Sequence, residues 1–135
     1  TQEDVQRARE IVANREKAKF LDQVFAFKVL DVAAQEGKPL EAEVQVFTLG
    51  REVAVVALPG EVFVDLGLSI KAASPFPYTC VVELANGSPG YIPNRSAYAQ
   101  GQYEVVSTRF AEGSGEMLVT AAVRLLEDLA APSPK

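Results

Sequence analysis

A single glutamate is the first candidate for chemistry in this sequence. Glu61 follows Leu58-Pro59-Gly60, at a junction between an apolar strand-like run and a helical pattern. Crevices just beyond the end of a buried strand are favoured ligand sites in open sheets, and a carboxylate there can contact a ligand. A glutamate in the first turn of the following helix would instead complement the helix dipole. The spacing alone leaves both interpretations of Glu61 open.

Three of the four tyrosines form a second group of candidates. Tyr91, Tyr98 and Tyr103 lie in a long segment rich in Gly, Pro, Asn and Ser, and such long loops inside a compact domain are often functional. A loop tyrosine either covers the core and hydrogen-bonds through its hydroxyl, or directs its phenol into a pocket. Glu83 and Arg109 are a third candidate, either as a charged site pair or as solvated surface charges.

The composition excludes several common kinds of site. The 135 residues contain no histidine and one cysteine, which rules out Ser-His-Asp and Cys-His sets, His-rich zinc sites and an internal disulfide within the chain. The cysteine, Cys80, lies in an apolar run and is predicted to be a buried, unreactive thiol. The net charge of −5 argues against a nucleic-acid surface, and no apolar run is long enough for a transmembrane helix.

The elements that must position these residues follow from hydrophobic periodicity. Residues 1–21 carry a thin helical stripe and predict an amphipathic surface helix. Residues 25–30, 41–49 and 53–58 alternate or are continuously apolar, which predicts three strands in an antiparallel meander. Gly50-Arg51 suits a two-residue type II′ turn between the last two strands.

The second half of the sequence predicts both helices and strands. A helix is expected to follow Glu61 and to end near Ala73, before a Pro-rich stretch. Residues 78–84 predict an interior strand, and residues 103–108 predict a short one. The last helix is expected to begin near Ser114 as its N-cap and to present one apolar face.

Three motifs, in their order and spacing, resemble the neutral/alkaline non-lysosomal ceramidase family. They are Leu58-Pro59-Gly60-Glu61, then Gly90-Tyr91-Ile92-Pro93 with Tyr98 and Tyr103, then Ser107-Thr108-Arg109-Phe110. The resemblance covers about residues 53–126 and falls in the last part of the family's amidohydrolase domain. The first fifty residues match more weakly.

The resemblance implies a mechanism and a ligand set. Family members hydrolyse the amide of N-acylsphingosine with one zinc ion, which is held by two histidines, one glutamate and one tyrosine. By their motifs, the glutamate corresponds to Glu61 and the tyrosine to Tyr98. Zinc accepts oxygen ligands and can lower the pKa of a phenol, so both assignments are chemically coherent. Tyr91, Tyr103 and Arg109 are expected to line the same pocket.

The sequence also departs from the family pattern. The family places both histidine ligands and the nucleophilic serine upstream of the matching region, so this chain is expected to hold half a zinc site and to be inactive alone. A second family tyrosine, which helps to stabilise the oxyanion, is replaced by Phe110. Phenylalanine cannot donate a hydrogen bond, and losing one such donor costs on the order of 100-fold in rate.

These observations combine into one expectation for the fold. We expect an α/β (α+β) arrangement with a mainly antiparallel or mixed sheet of four to six strands and at least three packed helices, as part of a larger catalytic domain. Residues 1–131 are predicted to form a single domain or subdomain, and residues 132–135 a frayed tail. Apolar surface is expected to remain where the N-terminal part of the catalytic domain docks, and it offers a surface for homodimerisation.

The functional expectation has one leading hypothesis and two alternatives. The leading hypothesis is a C-terminal segment of a zinc-dependent amidohydrolase that acts on N-acylsphingosine or a related lipid-like N-acyl amide. The alternatives are a non-catalytic binding or interaction module with the family fold, and an amidase for short or bacterial N-acyl compounds. An exported location is suggested by the resemblance alone.

Overall fold

The computed structural model describes residues 1–131, so the frayed tail predicted for residues 132–135 lies outside the described residues. The chain divides into two compact units, Thr1–Glu41 and a second unit that begins at Ala42. Among the described helices, none has the length and apolar character needed to cross a bilayer.

The first unit is a helical hairpin. Its helices are α1 (Gln2–Ala13) and α2 (Phe20–Ala34), joined through a 3₁₀ turn. The Thr1 hydroxyl caps α1 by accepting a hydrogen bond of 3.2 Å from the Asp4 N–H. Each helix buries one alanine, Ala8 in α1 and Ala26 in α2, and small side chains at these positions let the two backbones approach closely.

The strand predicted for residues 25–30 is wrong, because these residues lie within α2. The run from Phe20 to Ala34 contains no Gly or Pro and is apolar on nearly every side. Alternation over six residues cannot distinguish strand from helix when the intervening residues are also apolar. The length of the uninterrupted run, which is typical of a helix, is the better guide here.

The second unit contains two sheets and four helices within the described residues. The strands are β1 (Gln45–Leu49), β2 (Val53–Ala57), β3 (Glu61–Val62), β4 (Tyr78–Val82) and β5 (Tyr91–Ile92). The helices are α3 (Val64–Ala73), α4 (Arg95–Tyr98), α5 (Tyr103–Ser107) and α6 (Ser114–Ala130). One sheet has the order β1-β2-β4, and the other pairs β3 with β5. The expected mixed α/β class is therefore confirmed.

The larger sheet is mixed rather than a meander. The strand β1 runs antiparallel to β2, as predicted, whereas β4 returns parallel to β2 after the intervening helix α3. Leu49 pairs with Val53, so three residues form the hairpin loop and the predicted two-residue turn at Gly50-Arg51 is wrong. The strand β2 is central, as its continuous apolar run predicts, and β4 is an edge strand of this sheet rather than an interior one.

The core lies between one face of this sheet and the helices α3 and α6. Its buried members are Ala54, Val56, Leu58, Ile70, Phe76, Ala122 and Leu126. A smaller cluster of Leu66, Ile92 and Leu118 continues it toward β5. Gly115 permits this packing, since a Cβ there would lie 2.5 Å from a Leu66 methyl carbon and 2.9 Å from the Pro93 carbonyl oxygen.

Three further local predictions are corrected by the structure. Residues 103–107 form the helix α5 instead of a strand, which buries Ser107 beside the Glu104 carbonyl. Gly113, with a φ of 92°, is the N-cap of α6, and Ser114 is its first residue. Cys80 is exposed rather than buried, because it lies on the outward face of the edge strand β4.

Candidate functional site

The glutamate of the Pro-Gly-Glu motif begins the short strand β3. Gly60 turns the chain at a φ of 72°, and a Cβ at this position would lie 2.6 Å from the Gly90 carbonyl oxygen. Only glycine therefore allows this close approach, which lets the Glu61 N–H donate to the Gly90 carbonyl at 3.0 Å. The motif spacing thus fixes the position of Glu61 beside the start of β5.

Glu61 is not a helix-dipole residue, which answers the question left open by the sequence. It precedes α3, whose N-cap is Phe63 and whose first-turn acid is Asp65. In the parallel β3–β5 pair, Glu61 lies directly opposite Tyr91. Neighbouring residues of a parallel pair project from the same face of the sheet. Glu61 and Tyr91 are both half-buried on that face.

The Tyr91 phenol and the Glu61 carboxylate belong to residues that lie opposite each other in the β3–β5 pair. Hydrogen bonding to this carboxylate, and its negative charge, raise the pKa of Tyr91, because a phenolate has no proton to donate and is repelled by the carboxylate. The ring of Tyr103 meets the Tyr91 ring edge to face, with 6.0 Å between centroids. The structure therefore brings together three predicted site residues, Glu61, Tyr91 and Tyr103.

Tyr98 lies on the one-turn helix α4, and its phenol is tied to a different segment. Its hydroxyl donates to the Phe110 carbonyl oxygen at 2.9 Å. Burial raises the pKa of Tyr98, and the charges of Glu116 and Glu112 raise it further, while a hydrogen bond with the Thr108 side chain opposes them. The phenol thus holds its proton firmly in this arrangement.

The helix α4 is fixed at its start by two side chains. The Asn94 side chain caps it by accepting from the Ala97 N–H at 3.2 Å. One carboxylate oxygen of Glu116, in the first turn of α6, accepts from the Arg95 N–H at 2.8 Å. Its other carboxylate oxygen is buried with no hydrogen-bond partner among the described residues. The position of Tyr98 therefore depends on α6 as well as on its own helix.

Thr108 connects the two groups of tyrosines, and the sequence did not single it out as a site residue. Its hydroxyl donates to the Tyr91 carbonyl oxygen at 2.6 Å and accepts from the Phe110 N–H at 3.1 Å. A single hydroxyl thus joins β5 to the segment that carries the acceptor of Tyr98. Thr108 belongs to the Ser107-Thr108-Arg109-Phe110 motif, but no sequence pattern distinguishes a functional loop threonine from any other loop threonine. Arg109, beside it, is exposed.

Glu83 has a structural role in this arrangement. Its carboxylate accepts a hydrogen bond of 2.8 Å from the Val62 N–H, which is a backbone donor that β3 leaves on its outer side. Glu83 also lines an apolar groove of about 290 Å³ between β4 and α3, together with Phe63, Leu68 and Lys71. Val62 lines this groove, and because strand side chains alternate, Glu61 points to the opposite face.

The donor set for a metal is partial. Within residues 1–131 there is no group of three or more His, Cys, Asp or Glu side chains that could hold a metal ion. Glu61 and Tyr98 offer one carboxylate and one phenol, both of which are oxygen donors that zinc accepts. By donor type alone, they match two of the four ligands of a tetrahedral zinc shell.

Two solved ceramidase structures are similar to this chain. Neutral ceramidase from Pseudomonas aeruginosa matches 68% of the chain with 24% identity and a TM-score of 0.50. A ceramidase complexed with C2 matches 68% of the chain with 26% identity and a TM-score of 0.52. The chain spans 16% of the length of each. No protein-family model and no curated protein sequence matches. The resemblance inferred from the motifs is therefore confirmed: the chain is a ceramidase-like segment.

Proposed function

We propose that this ceramidase-like segment is the C-terminal part of a zinc-dependent amidohydrolase that cleaves N-acylsphingosine or a related N-acyl amide. The observation that carries the proposal is the placement of Glu61. It is held at the start of β3 by the close passage of Gly60 against Gly90, and it lies opposite Tyr91, whose pKa its carboxylate raises. A half-buried carboxylate with a phenol beside it is suited to bind a cation.

Two residues of this chain would hold the metal. The carboxylate of Glu61 and the hydroxyl oxygen of Tyr98 would each supply one ligand, in keeping with the family resemblance. A bound zinc ion polarises a substrate carbonyl and stabilises the oxyanion that develops on it. The Tyr98 proton, now donated to the Phe110 carbonyl, would have to leave before its oxygen could bind as a phenolate. The chain alone would be inactive, because it contains no histidine and the family's nucleophilic serine lies upstream.

Zinc content tests this proposal directly. The protein encoded by the full reading frame is purified and its zinc is measured by mass spectrometry of the digested sample. We expect about one zinc per chain in the parent and less than about a tenth of that in Glu61→Gln, because the amide is a far weaker ligand than the carboxylate. Glu127→Gln is the matched control, since it removes an exposed carboxylate on α6 and should keep its zinc.

Two results would contradict the zinc proposal. A parent protein that folds and contains no zinc, even after it is supplied with the metal, has no zinc site. A parent in which Glu61→Gln and Glu127→Gln retain equal zinc has its site elsewhere.

A second candidate function is a non-catalytic binding module that keeps the ceramidase-like fold. Phe110 favours it, because the side chain that replaces the family's oxyanion-stabilising tyrosine cannot donate a hydrogen bond. In this structure the ring packs against the Leu66, Ile92 and Leu118 cluster, so it has a structural role of its own.

The substitution Phe110→Tyr separates the two functions. In a catalytic parent, a restored phenol should raise kcat for N-acyl amide hydrolysis by roughly 10- to 100-fold, because one oxyanion donor is worth about that much. Phe63→Tyr is the matched control, since Phe63 packs against the same cluster and should leave kcat unchanged. If neither the parent nor Phe110→Tyr hydrolyses an N-acyl amide, the binding module becomes the better description.

A further inference from the structure

One face of the β1-β2-β4 sheet is apolar and outward-facing. Strand alternation and the two pairing registers place nine residues on it in three rows across the strands. The rows are Leu49-Val53-Tyr78, Phe47-Val55-Cys80 and Gln45-Ala57-Val82. We call these nine residues the open face. Eight of the nine are hydrophobic, and the exception is Gln45. None of the nine is charged.

Five of the nine open-face residues are exposed, whereas Gln45, Val53 and Val55 are half-buried and Ala57 is buried. Phe47 is 56% exposed, Leu49 69%, Tyr78 66% and Val82 46%. The opposite face is packed, because Ala54 and Val56 of β2 are fully buried beneath α3 and α6. The outward exposure therefore reflects a missing layer on one side of the sheet, rather than poor packing of the sheet as a whole. Contiguous apolar surface of this kind marks an interaction site.

The sequence of the central strand also favours a second layer. The strand β2 pairs in parallel with β4, and parallel strands that are buried on both faces have near-continuous apolar sequences. The central strand β2 reads Val-Ala-Val-Val-Ala, an apolar sequence on both faces, as expected for a strand between two layers. The sequence of β2 is thus adapted to a covering element that is not in this chain's second unit.

The comparisons indicate what supplies the covering layer. The chain spans 16% of each ceramidase chain with which it shares its fold, so most of each of those chains has no counterpart in these residues. An uncharged surface offers no ionic complement to a polar ligand, but it suits an apolar layer of the same domain.

We propose that the open face is the surface on which the remaining part of the ceramidase-like catalytic domain packs as a second layer. The inference rests on the part of the proposed function that assigns this chain to a larger catalytic domain, and it is independent of zinc. It predicts that Cys80, in the middle row and the only cysteine of the chain, is exposed in the 135-residue chain and covered in the larger protein.

The rate at which the Cys80 thiol is labelled measures whether the open face is covered. The 135-residue chain and the protein encoded by the full reading frame are each labelled with N-ethylmaleimide. The tryptic peptide that spans residues 72–95 is followed by mass spectrometry, so other cysteines do not interfere. We expect Cys80 to react at least 100-fold more slowly in the larger protein, and equally fast in both proteins after unfolding in guanidinium.

A neighbouring position gives the matched control. Thr79 precedes Cys80 in β4, but its side chain lies on the helix-covered side, where its hydroxyl donates to Ser74. In the double variant Cys80→Ser and Thr79→Cys, the thiol lies on the helix-covered side and should be labelled slowly in both proteins. In the larger protein, Phe47→Lys should make Cys80 label at least tenfold faster, because a charge in the same row of the open face disrupts the apolar contact with the covering layer.

Three outcomes would overturn the inference. Equal labelling of Cys80 in the two folded proteins shows that the open face stays uncovered. If the 135-residue chain and the larger protein both dimerise, and Phe47→Lys abolishes dimerisation of the 135-residue chain, the open face is occupied by a second copy. If the reading frame encodes only these 135 residues, the proposed covering layer does not exist. Zinc content is measured separately, so failure of the metal proposal is distinguishable from failure of this one.

Discussion

At the scale of the residue, the phenol of Tyr91 determines how the Glu61 carboxylate is presented. The two residues are opposite each other in the β3–β5 pair, and the interaction that raises the pKa of Tyr91 favours a carboxylate that points toward the phenol. Side chains that orient a metal-binding carboxylate in this way contribute to affinity without touching the metal. Tyr91 is therefore a positioning residue in the proposed function.

Removal of the Tyr91 hydroxyl tests this role. In the full-length protein, Tyr91→Phe should weaken zinc binding by roughly 10- to 100-fold, since the ring and its contact with Tyr103 remain and only the hydroxyl that interacts with Glu61 is lost. Affinity is measured by competition with a zinc chelator. Tyr78→Phe removes an equivalent hydroxyl on β4 and should leave the affinity unchanged. Equal affinities in the two variants would contradict the role of Tyr91.

The sequence predicted part of this residue-level arrangement. Glu61 could be placed because Pro-Gly constrains the backbone just before it, whereas Tyr91 was assigned only to a long loop and its strand β5 was not predicted. Thr108 could not be placed, since its two hydrogen bonds join segments that are brought together only by the tertiary fold. The exposure of Cys80 was mispredicted for a related reason: an apolar strand sequence does not reveal whether a covering layer belongs to the same chain.

At the scale of the element, the turn at Gly60 sets the register of β3 against β5. The positive φ alone would cost any other residue about 1 kcal/mol, and the Gly90 carbonyl oxygen adds a steric clash. The resulting shift of the turn would move Glu61 away from Tyr91. This one glycine therefore links the backbone geometry of the second sheet to the candidate site.

A comparison of two glycines separates these contributions. Gly60→Ala should lower the free energy of unfolding of the chain by about 2–4 kcal/mol in urea denaturation. Gly50→Ala is the control, because Gly50 has a similar φ of 64° but no atom within 4 Å of a Cβ, and it should cost about 1 kcal/mol. Equal losses in the two variants would show that the contact with Gly90 is not rigid.

The elements that the sequence predicted well are those with a long, one-sided pattern. The helix α6 has its apolar residues on one face, and β2 is an uninterrupted apolar run, so both were placed correctly. Short or evenly apolar segments were not, as α2 and α5 show. In α5, Val105 and Val106 favour a strand by propensity, but the segment forms a single short helix.

At the scale of the whole molecule, the chain consists of two units with separate interiors. The helical hairpin of Thr1–Glu41 buries alanines, whereas the unit from Ala42 contains the larger apolar core. The residues between α2 and β1 are mostly exposed and have no regular hydrogen-bonded structure. Backbone of this kind is the preferred site of proteolytic cleavage.

Limited proteolysis tests this division. A glutamate-specific protease should cut first at Glu36, Glu41 or Glu43, because these exposed residues lie in irregular backbone. Glu52, at the hairpin tip, is the internal control, since it is also exposed but joins two paired strands. We expect cleavage there to be at least tenfold slower, as followed by intact-mass spectrometry. A first cut at Glu52 would show that the β1–β2 hairpin opens more readily than the connection between the units.

The late position of α6 in the chain has a consequence for synthesis. The sheet strands β1, β2 and β4 leave the ribosome before α6, whose Ala122 and Leu126 complete the core against Ala54 and Val56. At a synthesis rate of about 5–20 residues per second, the inner face of the nascent sheet stays uncovered for ~2–10 s until α6 has been synthesised. During that interval both faces of the sheet present apolar side chains to solvent and to chaperones. Ribosome stalling just before Ser114 would therefore leave an aggregation-prone nascent chain.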